Sequence, residues 1–102
     1  MSDIRQARKA LVQRILEGTG EALSSERKAA FNNDGLAEAP RTLVEKVAGH
    51  ADQIIDEDIT AVRASGLSED QVFEIVVCAA VGQATRQYDV ALAALESATR
   101  KE

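Results

Sequence analysis

Three residues of this chain join a reactive side chain to a setting that could use it: His50, Glu74 and Cys78. His50 is the single histidine and Cys78 the single cysteine, so chemistry built on an imidazole or a thiol must draw on them. Acidic residues lie near His50 in sequence, at Glu45, Asp52, Asp56, Glu57 and Asp58. Carboxylates and one imidazole could hold a divalent ion, but transition-metal sites normally recruit more nitrogen or sulfur. The Glu-x-x-His spacing of di-iron bundles is absent. The run 56–58 lacks the turn glycine and closing Glu of a calcium loop, and helix capping accounts for its acids. Gly18-Thr19-Gly20 lacks the Lys-Ser/Thr of a phosphate loop. No metal and no cofactor is expected. The plainer reading of His50 is a helix-surface or interface residue.

Cys78 lies in the longest apolar run, Ile75 to Val81. A buried thiol there behaves as a small hydrophobe. The nearest charge on the same helix is Glu74, four residues back, and a carboxylate so placed disfavours the thiolate. Glu74 itself is the odd residue of an otherwise apolar stretch. If buried it needs a partner, such as Arg63, Arg86 or His50, or it must be neutral. It is either a paired structural carboxylate or a pocket acid.

The elements that must position these residues are helical. Of 102 residues, 45% are hydrophobic and only 3% aromatic, with one proline, so the apolar mass is Ala, Val, Leu and Ile. Punctuation divides the chain into five segments. The first spans about Asp3 to Glu17, with Ser2 as N-cap, Gly18 as stop and a stripe of Ile4, Ala7, Leu11, Ile15 and Leu16. The second spans about Glu21 to Asn32, with Ser24 or Ser25 as a cap and a thin stripe of Leu23, Ala30 and Phe31; Asn32-Asn33-Asp34-Gly35 ends it. The third starts at Pro40 and carries its apolar face as far as Ile54 and Ile55, with Gly49 inside it as a point of close helix approach. The fourth spans about Glu57 to Ser65, with Asp56 as N-cap, Ile59 and Val62 inward and Gly66 as stop. The fifth follows a capping box at Ser68 and Gln71 and runs from Glu69 to about Ala98. Its stretch Val72–Val81 is apolar nearly all round. Beyond it, Tyr88, Leu92 and Leu95 form a stripe, and Ala79, Ala80, Gly82 and Ala84 offer a smooth face to another helix.

Length and composition predict one all-α domain over residues 1–102, with N-terminal helices in 1–39 and a helical core in 40–98. Eighteen alanines make a thin core, and thin-cored helical chains often complete their burial by self-association. A homo-oligomer is expected. The net charge is −5. Residues 1–51 hold 8 basic and 7 acidic groups, whereas residues 52–102 hold 4 and 10. The acidic half opposes nucleic-acid binding. Arg5, Arg8, Lys9 and Arg14 form a small basic group, read as a solvated helix face. No apolar run approaches the ~20 residues of a membrane span. No leader is visible and no disulfide can form within the chain, so a cytoplasmic, bacterial protein is expected.

The stretch Leu43–Leu95 resembles the alkylhydroperoxidase D-like, or carboxymuconolactone decarboxylase-like, family. The words that carry the resemblance are "DEDITAVRASGLSEDQVFEIV" and "AAVGQATRQYDVALAAL". They look like that family's helix, Gly-Leu-Ser turn and long helix. The resemblance covers about half the chain and implies an all-α fold that assembles into dimers, trimers or hexamers. Redox members carry a Cys-x-x-Cys before the turn and a His four residues later. Here those positions fall near Ala51, Ile54 and Asp58, none with the required side chain. Cys78 lies after the turn, and without two thiols an intrachain disulfide cycle cannot run. The expectation is a helical oligomeric binding or accessory protein without a dithiol, with a pocket between the third and fifth helices and a small-molecule ligand. The alternative is a peroxide-reducing or lactone-type acid–base enzyme, with Cys78 as nucleophile or Glu74 and His50 as acid and base.

Overall fold

The helix that follows the Ser68 cap forms the long axis of the molecule. A computed structural model describes residues 2–100, side chains from residue 4 onward. It contains five α-helices and no strand among those residues: α1 (Ser2–Glu17), α2 (Ser24–Asn32), α3 (Glu38–Gly49), α4 (Asp56–Ala64) and α5 (Glu69–Arg100). A 3-10 turn, Ala51–Gln53, joins α3 to α4. The all-α, five-helix reading of the sequence therefore holds. No helix among the described residues is long and apolar enough to cross a membrane.

Several boundaries follow their local chemistry. Ser68 and Gln71 cap each other: the Ser68 N–H donates to Gln71 Oε1 at 2.7 Å, and the Gln71 N–H to Ser68 Oγ at 3.1 Å. Asn33 ends α2 in the left-handed conformation (φ 52°), and Gly66 follows α4 with φ 110°. Other boundaries differ from expectation. The third helix stops at Gly49, because His50 leaves helical geometry (φ −149°, ψ 56°). Ile55 is consequently exposed rather than on a buried face. Ile55, not Asp56, is the N-cap of α4, and its N–H donates to the Asp58 carboxylate at 2.9 Å. Neither Ser24 nor Ser25 caps α2; the Ser24 hydroxyl instead donates to the Leu16 carbonyl. The capping role read for Ser2 rests on a side chain outside the described part of the chain.

The core has two joined parts. Val44 of α3 meets Ala30 of α2 and Ile75, Cys78 and Ala79 of α5 in one. Leu43, Val62 and Val72 join α3, α4 and α5 in the other. Half-buried Val47 and Leu67 touch both. Of the small residues read as one smooth face, Ala79 and Gly82 receive α2 within the same chain, whereas Ala80 and Ala84 lie exposed on another side of α5. A Cβ at Gly82 would lie 2.0 Å from the Phe31 carbonyl oxygen, so the α2 backbone rests where a side chain would be. The Arg86 guanidinium donates to that same carbonyl, satisfying an acceptor at the end of α2. Gly49 makes no such approach, since nothing lies within 4 Å of its would-be Cβ. Between α3 and α4, Lys46 Nζ bonds both Asp58 oxygens at 2.9 and 3.0 Å.

The expected burial of the α1 stripe is only partial. Ile15 and Leu16 are half-buried, but Ile4 and Leu11 are 58% and 52% exposed. The C-terminal end of α1 docks on α2 and α5, while its N-terminal half lies along the outer part of α5. In α5, Phe73 is 69% exposed, so the run Val72–Val81 is not enclosed by this chain alone.

Two glycines should respond in opposite senses. Gly82→Ala should cost about 1–3 kcal/mol through overpacking against backbone, whereas Gly49→Ala should be neutral or stabilise by up to about 1 kcal/mol; thermal melts of both variants check this. The Ile55 N–H and Lys46 hold the Asp58 carboxyl below its ordinary value. A carboxylate with a depressed folded value stabilises the fold above its ordinary titration range and loses that contribution as pH falls through the folded value. Asp58→Asn should thus lower stability at neutral pH, with the gap to the parent closing in acid, as seen in denaturant titrations from pH 7 to pH 2.

Candidate functional site

The carboxylate of Glu74 is engaged by backbone, not by a side chain. Both its oxygens accept from the Glu21 N–H, at 2.8 and 3.1 Å, and one also accepts from the Ala22 N–H at 3.3 Å. These N–H groups belong to the α1–α2 connection, just before α2. A Cβ at Gly20 would sit 2.0 Å from Glu74 Oε1, so a side chain there would turn the carboxylate from its present position. None of the partners considered from sequence takes the role. Arg86 is committed to Phe31 and Gln83, and Arg63 is exposed.

The same connection is clamped twice more. The Gln71 side-chain amide donates to the Glu21 carbonyl at 3.2 Å. Arg27, only 7% exposed, reaches under the end of α1 and donates from Nη1 to the carbonyls of Ile15 (3.2 Å) and Gly18 (2.7 Å). These are C-terminal acceptors of a helix, which otherwise lack partners. The Arg27 Nε is buried without a partner.

Cys78 faces this region from one helical turn further along α5. Its thiol is 3.8 Å from the Ile15 carbonyl, to which it donates weakly. Burial pushes the thiol above its ordinary value; Arg27 opposes the shift and Glu74 adds to it. The carboxylate contribution expected from the sequence is present, and burial outweighs it. Glu74, Cys78 and Arg27 line one cavity of about 320 Å³, together with Leu11, Arg14 and Val77.

His50 stands elsewhere. It is exposed at the end of α3 and borders a different hollow, with Thr42, Lys46 and Gln53. The fold therefore brings Glu74 and Cys78 to one cavity and leaves His50 outside it. That cavity is bounded by α1 and α5, not by the third and fifth helices, which pack directly through Val44, Leu43, Ile75 and Val72. Among the described residues no three His, Cys, Asp or Glu side chains gather in a metal-holding group. To act as a base, Glu74 would have to release two backbone N–H groups. No imidazole stands beside the Cys78 thiol to accept its proton.

Sequence reasoning missed Arg27 and Gly20. Arg27 carried a signal: it falls four residues after Leu23 and three before Ala30, on the apolar stripe of its own helix. The stripe itself was offset, since Ala22 is buried and Leu23 is 66% exposed. Compared with protein-family models, curated proteins and solved structures, the chain matches none of them.

Glu74→Gln keeps the shape but turns an N–H toward donors of the loop. It should speed hydrogen exchange at the Glu21 and Ala22 amides and lower stability by about 1–3 kcal/mol. Cys78 should react with iodoacetamide about tenfold or more slowly in the native protein than in the denatured chain, a rate that mass spectrometry reads directly.

Proposed function

We propose that the chain is a self-associating helical binding or accessory module of the carboxymuconolactone decarboxylase-like class, without a dithiol reaction of its own. The observation that carries this reading is a seam along α5 that the chain does not cover. Phe73, Val77, Ala80, Ala84, Tyr88, Ala91 and Leu95 recur in steps of three and four, so they share one face of the helix. All but half-buried Val77 are exposed, Phe73 by 69% and Leu95 by 61%.

The seam is continuous with the bare part of α1. Leu11 and Val77 line the same cavity, and Leu11 lies seven residues from exposed Ile4. Contiguous exposed apolar surface on a small domain marks an association site. Small residues at Ala80, Ala84 and Ala91 would let a second helix approach closely. The resemblance of Leu43–Leu95 to a family whose members assemble supports the same conclusion. So does the state of the polar groups: Glu74 serves the loop backbone, and Cys78 is buried with its proton favoured. The lone thiol fits a reducing, cytoplasmic setting.

In sedimentation equilibrium the protein should run as a dimer or larger, and the double variant Phe73→Glu, Leu95→Glu should run as a monomer with unchanged helical circular dichroism. A monomeric parent protein would refute the reading. Hydroperoxide consumption with a dithiol reductant should be absent both in the parent and in Cys78→Ser; turnover that vanishes in the variant would instead establish the one-cysteine peroxide reductase.

A further inference from the structure

A second cavity lies on another face of α1 from Cys78. It opens between α1, α2 and α5 and encloses about 610 Å³, a volume in the range of small-molecule sites. Its rim is basic, with Arg5, Arg8 and Lys9 from α1 and Lys28 from α2. Its floor is apolar, formed by half-buried Val12 and Leu16. Tertiary structure thus regroups the cations. Arg14, grouped with Arg5, Arg8 and Lys9 in the sequence, turns to the other cavity, and Lys28 takes its place.

The charges in this cavity do not cancel. Arg8 pairs with Asp89 at 2.9 Å and stacks on the Tyr88 ring, 4.8 Å from its centroid. Lys28 pairs with Glu17 at 3.3 Å. Arg5 and Lys9 have no carboxylate within ion-pair distance among the described residues. They stand four residues apart on one helix face, where like charges oppose each other. A protein of net charge −5 therefore holds a concave site with four cations against two carboxylates. An anion placed between Arg5 and Lys9 would relieve that repulsion through charge-assisted hydrogen bonds.

We propose that this cavity binds a small amphiphilic anion, a carboxylate head on an aliphatic tail, with the head between Arg5 and Lys9 and the tail against Val12 and Leu16. The two oxygens of a carboxylate offer one acceptor to each of Arg5 and Lys9, and the apolar floor gives the tail a surface to leave water for. Thr85 and Asp89 border the site from a different face of α5 than Phe73 and Leu95, and Tyr88, beneath Arg8, stands between the two faces.

The test is a two-dimensional NMR titration of the full chain with decanoate, hexanoate, decanol and inorganic phosphate, all below micelle-forming concentrations. Decanoate should shift the amides of Val12, Leu16 and Thr85 saturably. Hexanoate should bind more weakly, by about threefold for each buried methylene lost. Decanol should bind at least about tenfold more weakly, and Arg5→Gln with Lys9→Gln should weaken decanoate by a similar factor. Both substitutions are at exposed positions, and circular dichroism checks that the helices persist. Equal binding of decanol, or undiminished decanoate binding by the double variant, would overturn the head site. Phosphate binding as tightly as decanoate would overturn the tail site. Shifts confined to Phe73, Ala84 and Leu95 would place the ligand on the α5 seam and overturn the cavity altogether.

Discussion

The carboxylate of one α5 residue fixes the α1–α2 connection to the long helix, beside the packing of α2 on Ala79 and Gly82. Glu74 projects from α5 and takes the backbone N–H groups of Glu21 and Ala22, which would otherwise be left without partners ahead of α2. Gly20 leaves room for the carboxylate, and Arg27 secures the adjacent carbonyls at the end of α1. Beyond this clamp α1 lies beside α5 with its outer half unburied, and cavities open on both sides of it.

The packing behind the clamp relies on small residues. Ala30 and Ala79 are fully buried, and Gly82 receives the α2 backbone directly. Close backbone approach lets thin helices exclude water without large side chains, but it leaves little apolar surface to enclose the rest of the chain. The outer part of α5 and the first turns of α1 therefore keep Ile4, Val90 and Leu95 in contact with solvent. A domain with a small core meets the same constraint whichever residues compose it. The exposed α5 seam follows from this economy of side-chain volume.

The reactive groups are distributed by the same geometry. Cys78 is drawn inward because it lies on the face of α5 that meets α1 and α2, and burial holds its proton in place. His50 is carried outward because α3 ends at Gly49. The cavity shared by Glu74 and Cys78 therefore lacks the imidazole that an acid–base pair would use. The basic cavity next to it holds charges that the chain leaves unbalanced, and its chemistry is recognition of an anion.

The helices were legible in the sequence because their signals are local. The Ser68–Gln71 box, the turn at Asn33 and the stop at Gly66 each act within a few residues, and the structure retains all three. Cys78 in an apolar run and Glu74 as its exception were also visible. Boundaries were less legible where tertiary contacts competed: Ser24 turned from a cap of α2 to a bond with α1, and the apolar face of α3 ended before Ile55. What the sequence determined by itself is helix identity, the oddity of Glu74 and an apolar stripe on the outer part of α5, whose exposure the packing decided. Tertiary structure alone decided that Glu74 would meet backbone rather than a guanidinium, that Arg27 would be buried, and that Arg5, Lys9 and Lys28 would border one cavity. The physical reason is sequence separation. Glu74 meets Glu21 across 53 positions, and helical periodicity carries no information about which loop will reach a given side chain.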